Sequence, residues 1–99
     1  MLLRQARYFV TVVDENSFTE AAEKLFISQS AISQQIKALE EELGVTLIRR
    51  EKRKFSLTPA GEYFYRRGKA LVGEADAICR ETVRLGSGEE KNLRIGYLN

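Results

Sequence analysis

Apolar positions along the first 44 residues recur at helical spacing in three consecutive blocks. Leu2, Ala6, Phe9, Val10 and Val13 mark one face of a first helix ending near Asp14 to Asn16. Ser17 followed by Glu20 predicts a capping box at the start of a short second helix, which runs to about Phe26. Ala21, Ala22 and Leu25 form its contact face, the alanines letting another helix approach closely. Ser28 caps a third helix whose buried seam is Ile32, Ile36, Leu39 and Leu43, and Gly44 ends it. The turn between the second and third helices is too short for them to lie side by side, so they must cross. That is helix-turn-helix geometry.

Past Gly44 the period shortens. Val45 to Ile48 and Phe55 to Leu57 predict two short strands, a hairpin in which Leu47, Phe55 and Leu57 cover the helices. Thr58 and Pro59 then supply an N-cap and a first-turn proline for a long helix running to Leu85, about 40 Å at the standard rise. Phe64, Leu71, Ile78 and Leu85 recur every seven residues, with Gly61, Gly68, Ala75 and Thr82 at the accompanying small positions. The first turns can pack on their own domain. From about Leu71 the seam outruns what a small domain can cover, which predicts burial against a second copy. Residues 86–92 have the composition of a linker, and 93–99 begin like a strand that has no partner. The chain therefore has the outline of a piece of something longer.

The third helix carries an unusual second face. Gln29, Ser30, Ser33, Gln34 and Lys37 lie together where a solvated helix would normally show Glu and Lys. Amide and hydroxyl groups donate and accept without net charge, which suits reading base edges in the major groove. The amide-rich start of that helix, at Ser28, favours a phosphate. Gln29 and Gln34 can each bridge an adenine edge; Ser30 can contact either a base or a phosphate.

The chain has 99 residues, 43% hydrophobic, enough for one small core. Its formal net charge is only +2, so clustering matters more than balance. Arg49, Arg50, Lys52, Arg53 and Lys54 crowd the hairpin tip, interrupted by Glu51. Alone, such a tip is equally a solubilising loop or a wing on DNA; beside the polar stripe, contact with phosphate or the minor groove is favoured. Lys37, Arg50 and Lys52 would attract the backbone, and Arg53 would enter the minor groove. Cys79 is the lone cysteine and there is no histidine, which excludes an intrachain disulfide and a His/Cys zinc site. No apolar run reaches membrane-spanning length and no signal peptide is evident, so a cytoplasmic protein without membrane partners is expected.

The segment from about Leu3 to Leu71 resembles the N-terminal DNA-binding domain of LysR-type transcriptional regulators. The matching residues include Ser17-Phe18-Thr19, Ala21-Ala22, Leu25, Ser28-Gln29-Ser30, Ser33, Gln35-Ile36, Leu39-Glu40, Leu43-Gly44, Leu47, Arg50, Leu57-Thr58 and Ala60-Gly61. The resemblance implies a mainly α fold: a winged helix-turn-helix of three helices and a small β-hairpin wing, followed by a long dimerisation helix. It divides the chain into a DNA-binding domain at 1–58, a linker helix at 59–85, and a hinge plus first effector-domain strand at 86–99. Base contacts fall on Gln29, Ser30, Ser33 and Gln34. Contacts to the backbone or minor groove fall on Ser28, Lys37, Arg50, Lys52 and Arg53. The dimer seam comprises Phe64, Leu71, Ala75, Ile78 and Leu85.

Implied partners are double-stranded DNA carrying an inverted repeat and a second copy of the chain, with a tetramer as a further option at full length. A small-molecule effector would bind only in an absent C-terminal domain. Ser30 stands where the family often has proline, Gln34 where it often has arginine, and Ile48 where phenylalanine is usual. The first two departures bear on base preference and the third on packing under the wing. The competing reading is a winged helix that binds an acidic protein. An enzyme is disfavoured: there is no phosphate-cradling glycine loop and no nucleophile beside a base, and no cofactor is expected.

Overall fold

A computed structural model describes residues 1–52 and 54–92. The elements are α1 (Leu3–Glu15), α2 (Phe18–Leu25), α3 (Gln29–Leu43), β1 (Ile48–Glu51), β2 (Lys54–Leu57) and α4 (Pro59–Asn92). The expected mainly α architecture with a two-stranded wing is what the chain forms.

Local signals place the helix ends. The Ser17 hydroxyl accepts from the Glu20 amide at 3.0 Å, and the Ser28 hydroxyl from the Ala31 amide at 3.1 Å. The reciprocal half of the expected capping box is missing at α2, because the Ser17 amide donates to the Val12 carbonyl instead. Gly44 closes α3 at φ 74°, a left-handed conformation that glycine adopts without penalty. Phe26 closes α2 in the same region (φ 59°) with its ring 92% exposed, so this turn carries both backbone strain and an unburied aromatic.

The core lies where α1, α2 and α3 converge, capped by the start of the hairpin. Phe9, Val12, Ala21, Ile32, Ile36, Leu39 and Leu47 are almost wholly inaccessible. Ala21 and Ala22 sit at the α2 contact face as expected. The α3 seam ends earlier than its spacing suggests: Leu39 is fully buried, whereas Leu43, one turn on, is exposed.

The hairpin is antiparallel, with Ile48 opposite Leu57, Arg49 opposite Ser56, Arg50 opposite Phe55 and Glu51 opposite Lys54. Pairing starts three residues later than the expected Val45. The amides of Leu47 and Ile48 donate to the Glu40 carboxylate on α3, at 2.8 and 3.0 Å, and so are already satisfied before any strand partner is reached. Arg49 and Arg50 consequently belong to the strand rather than to its tip.

At the junction with α4, the Thr58 hydroxyl donates to the Thr46 carbonyl (2.6 Å) and accepts from the Gly61 amide (2.9 Å). This confirms the expected cap and ties the helix to the loop before β1. Gly61 lies against that same loop. A Cβ built there would stand 2.1 Å from the Leu47 carbonyl oxygen, so only glycine fits.

Helix α4 packs along α1. Phe64 meets Phe9 edge to face, with centroids 5.4 Å apart, and Gly68 lies beside Val10. Arg7 clamps Asp76 through two bonds of 2.9 and 3.2 Å. The Arg7 guanidinium holds the Asp76 carboxyl below its usual range, and the pairing raises Arg7 in turn. Lower on the same seam, Asp14 accepts from Tyr65 and from Lys69.

Two expectations about α4 need revision. The helix does not stop at Leu85 but continues through Gly86, Ser87 and Gly88 to Asn92, a length of about 50 Å. Two glycines cost roughly 1 kcal/mol each, which is not enough to end a helix whose backbone bonds can simply continue. Phe64 belongs to the monomer's own core rather than to a free seam. Residues 93–99, expected to begin a strand, lie outside the described residues.

Candidate nucleic-acid interface

Helix α3 presents its polar stripe outward. Ser28, Gln29, Ser30, Gln34 and Lys37 are exposed, and Ser33 is half-buried at the edge of the seam. The stripe exists because Ile32, Ile36 and Leu39 claim the opposite face, leaving the intervening positions free of the core.

The hairpin flanks this stripe on the same side. Ser33, Gln34 and Lys37 share a groove with Ile48 and Arg50. A second cleft, of about 390 Å³, lies between the starts of α2 and α3 and the hairpin. Its walls bring Ser17, Thr19 and Gln29 to Arg50, Lys52 and Lys54. Arg50 therefore stands between the two clefts. The stripe and the wing face one common surface.

Among the described residues, Lys37, Arg50, Lys52 and Lys54 make no ion pair, whereas Arg7, Lys24, Lys69 and Arg84 each meet a carboxylate. Arg4 on α1 and Arg66, Arg67 and Arg80 on α4 are likewise in no ion pair among the described residues, but Lys37, Arg50, Lys52 and Lys54 are the ones gathered around the polar stripe. That clustering places positive potential beside the stripe in a chain that is nearly neutral overall. Lys52, directly after β1, has a positive φ of 35°. Arg53, expected at the minor groove, lies outside the described residues.

Several residues that shape this face received no separate role from the sequence. Thr19 donates to Gln29 Oε1 at 3.1 Å, which fixes the direction of that amide and leaves its NH2 group free to donate outward. Glu40 pins the hairpin base to α3, and Phe18 and Phe55 meet edge to face beneath Arg50. Phe55 was expected to cover the helices, whereas Phe18, Thr19 and Glu40 were visible only as the motif Ser-Phe-Thr and the Glu after Leu39; what they touch depends on the tertiary fold. Glu40→Ala is expected to cost about 2–3 kcal/mol, since two partly buried amides lose a charged acceptor. Urea denaturation checks this, and a midpoint equal to wild type would show that water replaces the carboxylate.

On the distal half of α4, Leu71, Ile78 and Leu85 are exposed to 42%, 57% and 56%. Ala75 is half-buried, and Val72, which the heptad pattern passed over, is the residue that turns inward onto the domain. No described helix is long and apolar enough to cross a membrane. The described residues contain no cluster of His, Cys, Asp or Glu able to hold a metal ion.

Comparison with known proteins gives this arrangement its context. Residues 3–62 match the sequence pattern of the bacterial regulatory helix-turn-helix proteins of the lysR family. The chain is 47% identical over 98 residues to the HTH-type transcriptional regulator BenM of Acinetobacter baylyi, covering 99% of this chain and 32% of BenM. It thus spans about a third of that relative's length. A crystal structure of the BenM DNA-binding domain with catB site 1 DNA superposes with a TM-score of 0.81 at 47% identity, covering 88% of this chain and 98% of that one. Full-length CbnR with its target DNA superposes at 0.75 with 34% identity, over 83% of this chain and 28% of CbnR.

Proposed function

Because the chain belongs to the lysR family of bacterial regulatory helix-turn-helix proteins, a family of regulators rather than enzymes, we propose that it reads duplex DNA with α3 and grips the flanking backbone with the hairpin. The observation that carries this reading is the outward row of uncharged amides and hydroxyls, bordered on one side by cations that make no ion pair among the described residues.

In the proposed complex Gln29, Ser30, Ser33 and Gln34 meet base edges. Ser28, Lys37, Arg50 and Lys52 meet phosphates, and Arg53 enters the minor groove. Adenine is the natural bidentate partner of a glutamine amide. One such domain offers few contacts, so two copies on an inverted repeat supply the specificity. They are joined through a stripe of the exposed Leu71, Ile78 and Leu85 with the half-buried Ala75 between them. The division at 1–58 and 59–85 follows, although α4 itself continues beyond 85. The relatives' greater length supports a longer regulator working in the cytoplasm, with a C-terminal domain that binds a small effector and drives assembly to a tetramer.

Selection from random duplexes at a stated salt concentration tests the reading. The expected product is a spaced inverted repeat, bound tightly by wild type and about 1–3 kcal/mol more weakly by Gln29→Ala, with preference relaxed at one base position. Enrichment of no sequence, together with no competition by unrelated duplex, would point instead to an acidic protein partner.

A further inference from the structure

Among the hairpin's cations, Arg50 lines both clefts and rests over an aromatic ring. The Arg50 guanidinium carbon sits 4.4 Å from the centroid of the Phe18 ring, at the start of α2. Phe55, paired directly across from Arg50 on β2, meets the same Phe18 ring edge to face at 5.6 Å. Ile48 and Arg50 project from the same side of β1, so the burial of Ile48 in the core directs Arg50 toward the helices. Among the described residues no carboxylate competes for the guanidinium. A ring face attracts this planar cation by its quadrupole while leaving the in-plane N–H groups unspent. Those N–H groups are the ones that would fork onto a phosphate.

We propose that Phe18 is a positioning residue for DNA binding, holding Arg50 flat between the two clefts so that its N–H fork is presented to a backbone phosphate. The proposal rests on the DNA-binding reading above and adds a residue that makes no nucleic-acid contact of its own. An Arg on a bare hairpin would sample many rotamers and would be ordered only at the moment of binding. Here the ordering is already present in the free protein, which is how preorganisation raises affinity. The same ring also joins α2 to β2 through Phe55, so the wing and the helix-turn-helix keep one orientation.

The test is a double-mutant cycle on a random-sequence duplex, since a phosphate contact is independent of sequence. Arg50→Met is expected to weaken binding and to flatten the dependence of log K on log salt by about one unit. Phe18→Met, which keeps volume but removes the ring face, is expected to weaken binding about three- to tenfold. In the Arg50→Met background it should change affinity little. Phe18→Tyr, which restores a face, should bind like wild type. Additive losses, or equal losses in Phe18→Met and Phe18→Tyr, would overturn the positioning role.

If Phe18→Met does not fold, proton NMR of the wild-type chain decides. Stacking shifts the Arg50 Cδ protons upfield by ring current, and resonances at ordinary positions would overturn the proposal. A wild-type chain that fails to bind any duplex would defeat the DNA-binding reading itself. Binding by wild type with an additive cycle defeats only the assignment of Phe18.

Discussion

Gly61→Ala is expected to destabilise the fold by about 3 kcal/mol, at the upper end of overpacking penalties, lowering the melting temperature by roughly 12–24 °C for a domain of this size. The reason is specific to the site. The added methyl would stand 2.1 Å from a backbone carbonyl oxygen, that of Leu47, which cannot rotate away as a side-chain tip could. That carbonyl also accepts from the Thr58 amide, and the neighbouring Thr46 carbonyl accepts from the Thr58 hydroxyl. Moving the loop to relieve the clash would break the junction between hairpin and α4. Gly73→Ala on the same helix is the control: its Cβ meets nothing within 4 Å, and alanine there should stabilise by up to about 1 kcal/mol. Thermal unfolding of the two variants separates a steric requirement from a helix-propensity effect. Equal shifts in both would refute the steric account.

Leu71→Glu is expected to raise the dissociation constant of the proposed dimer roughly 100-fold, about 3 kcal/mol, without lowering the melting temperature of the monomer. Leu71 is 42% exposed in the single chain, so the monomer loses little packing when it is replaced. Across a seam shared with Ala75 and Ile78, a carboxylate would have to be buried unpaired. Sedimentation equilibrium reads the change directly. A wild-type chain that remains monomeric at high concentration would remove α4 as the dimer element and leave its exposed stripe to another partner.

The features legible in the sequence were those set by neighbours a few residues apart. Ser17, Ser28, Thr58 and Gly44 mark helix ends through bonds spanning three or four positions, and each does so in the fold. The alternation of Ile32, Ile36 and Leu39 with the polar stripe likewise follows from helical period alone. What escaped was decided at longer range. The onset of β1 depends on Glu40, seven and eight residues before the amides it satisfies. Leu43 continues the period of α3, yet the fold leaves it exposed. The heptad seam singled out Phe64, Leu71 and Ile78, but α1 docks on an adjacent face, which buries Val72 and takes Phe64 into the core. At the interface, the sequence located the stripe and the cations. It could not show that Arg50 lies over Phe18, a contact across 32 positions of chain that only the placement of β1 against α2 creates.

The unbroken run of α4 makes it a lever. Its fulcrum is the stretch from Phe64 to Asp76, clipped to α1 by Phe9, Asp14 and Arg7. Pivoting the arm beyond Asp76, about 24 Å long, by about 10° swings its far tip through roughly 4 Å, about one base-pair step along a duplex. In the proposed dimer, a modest push applied near Asn92 would thereby retune the distance between the two α3 helices, with no rearrangement inside either head.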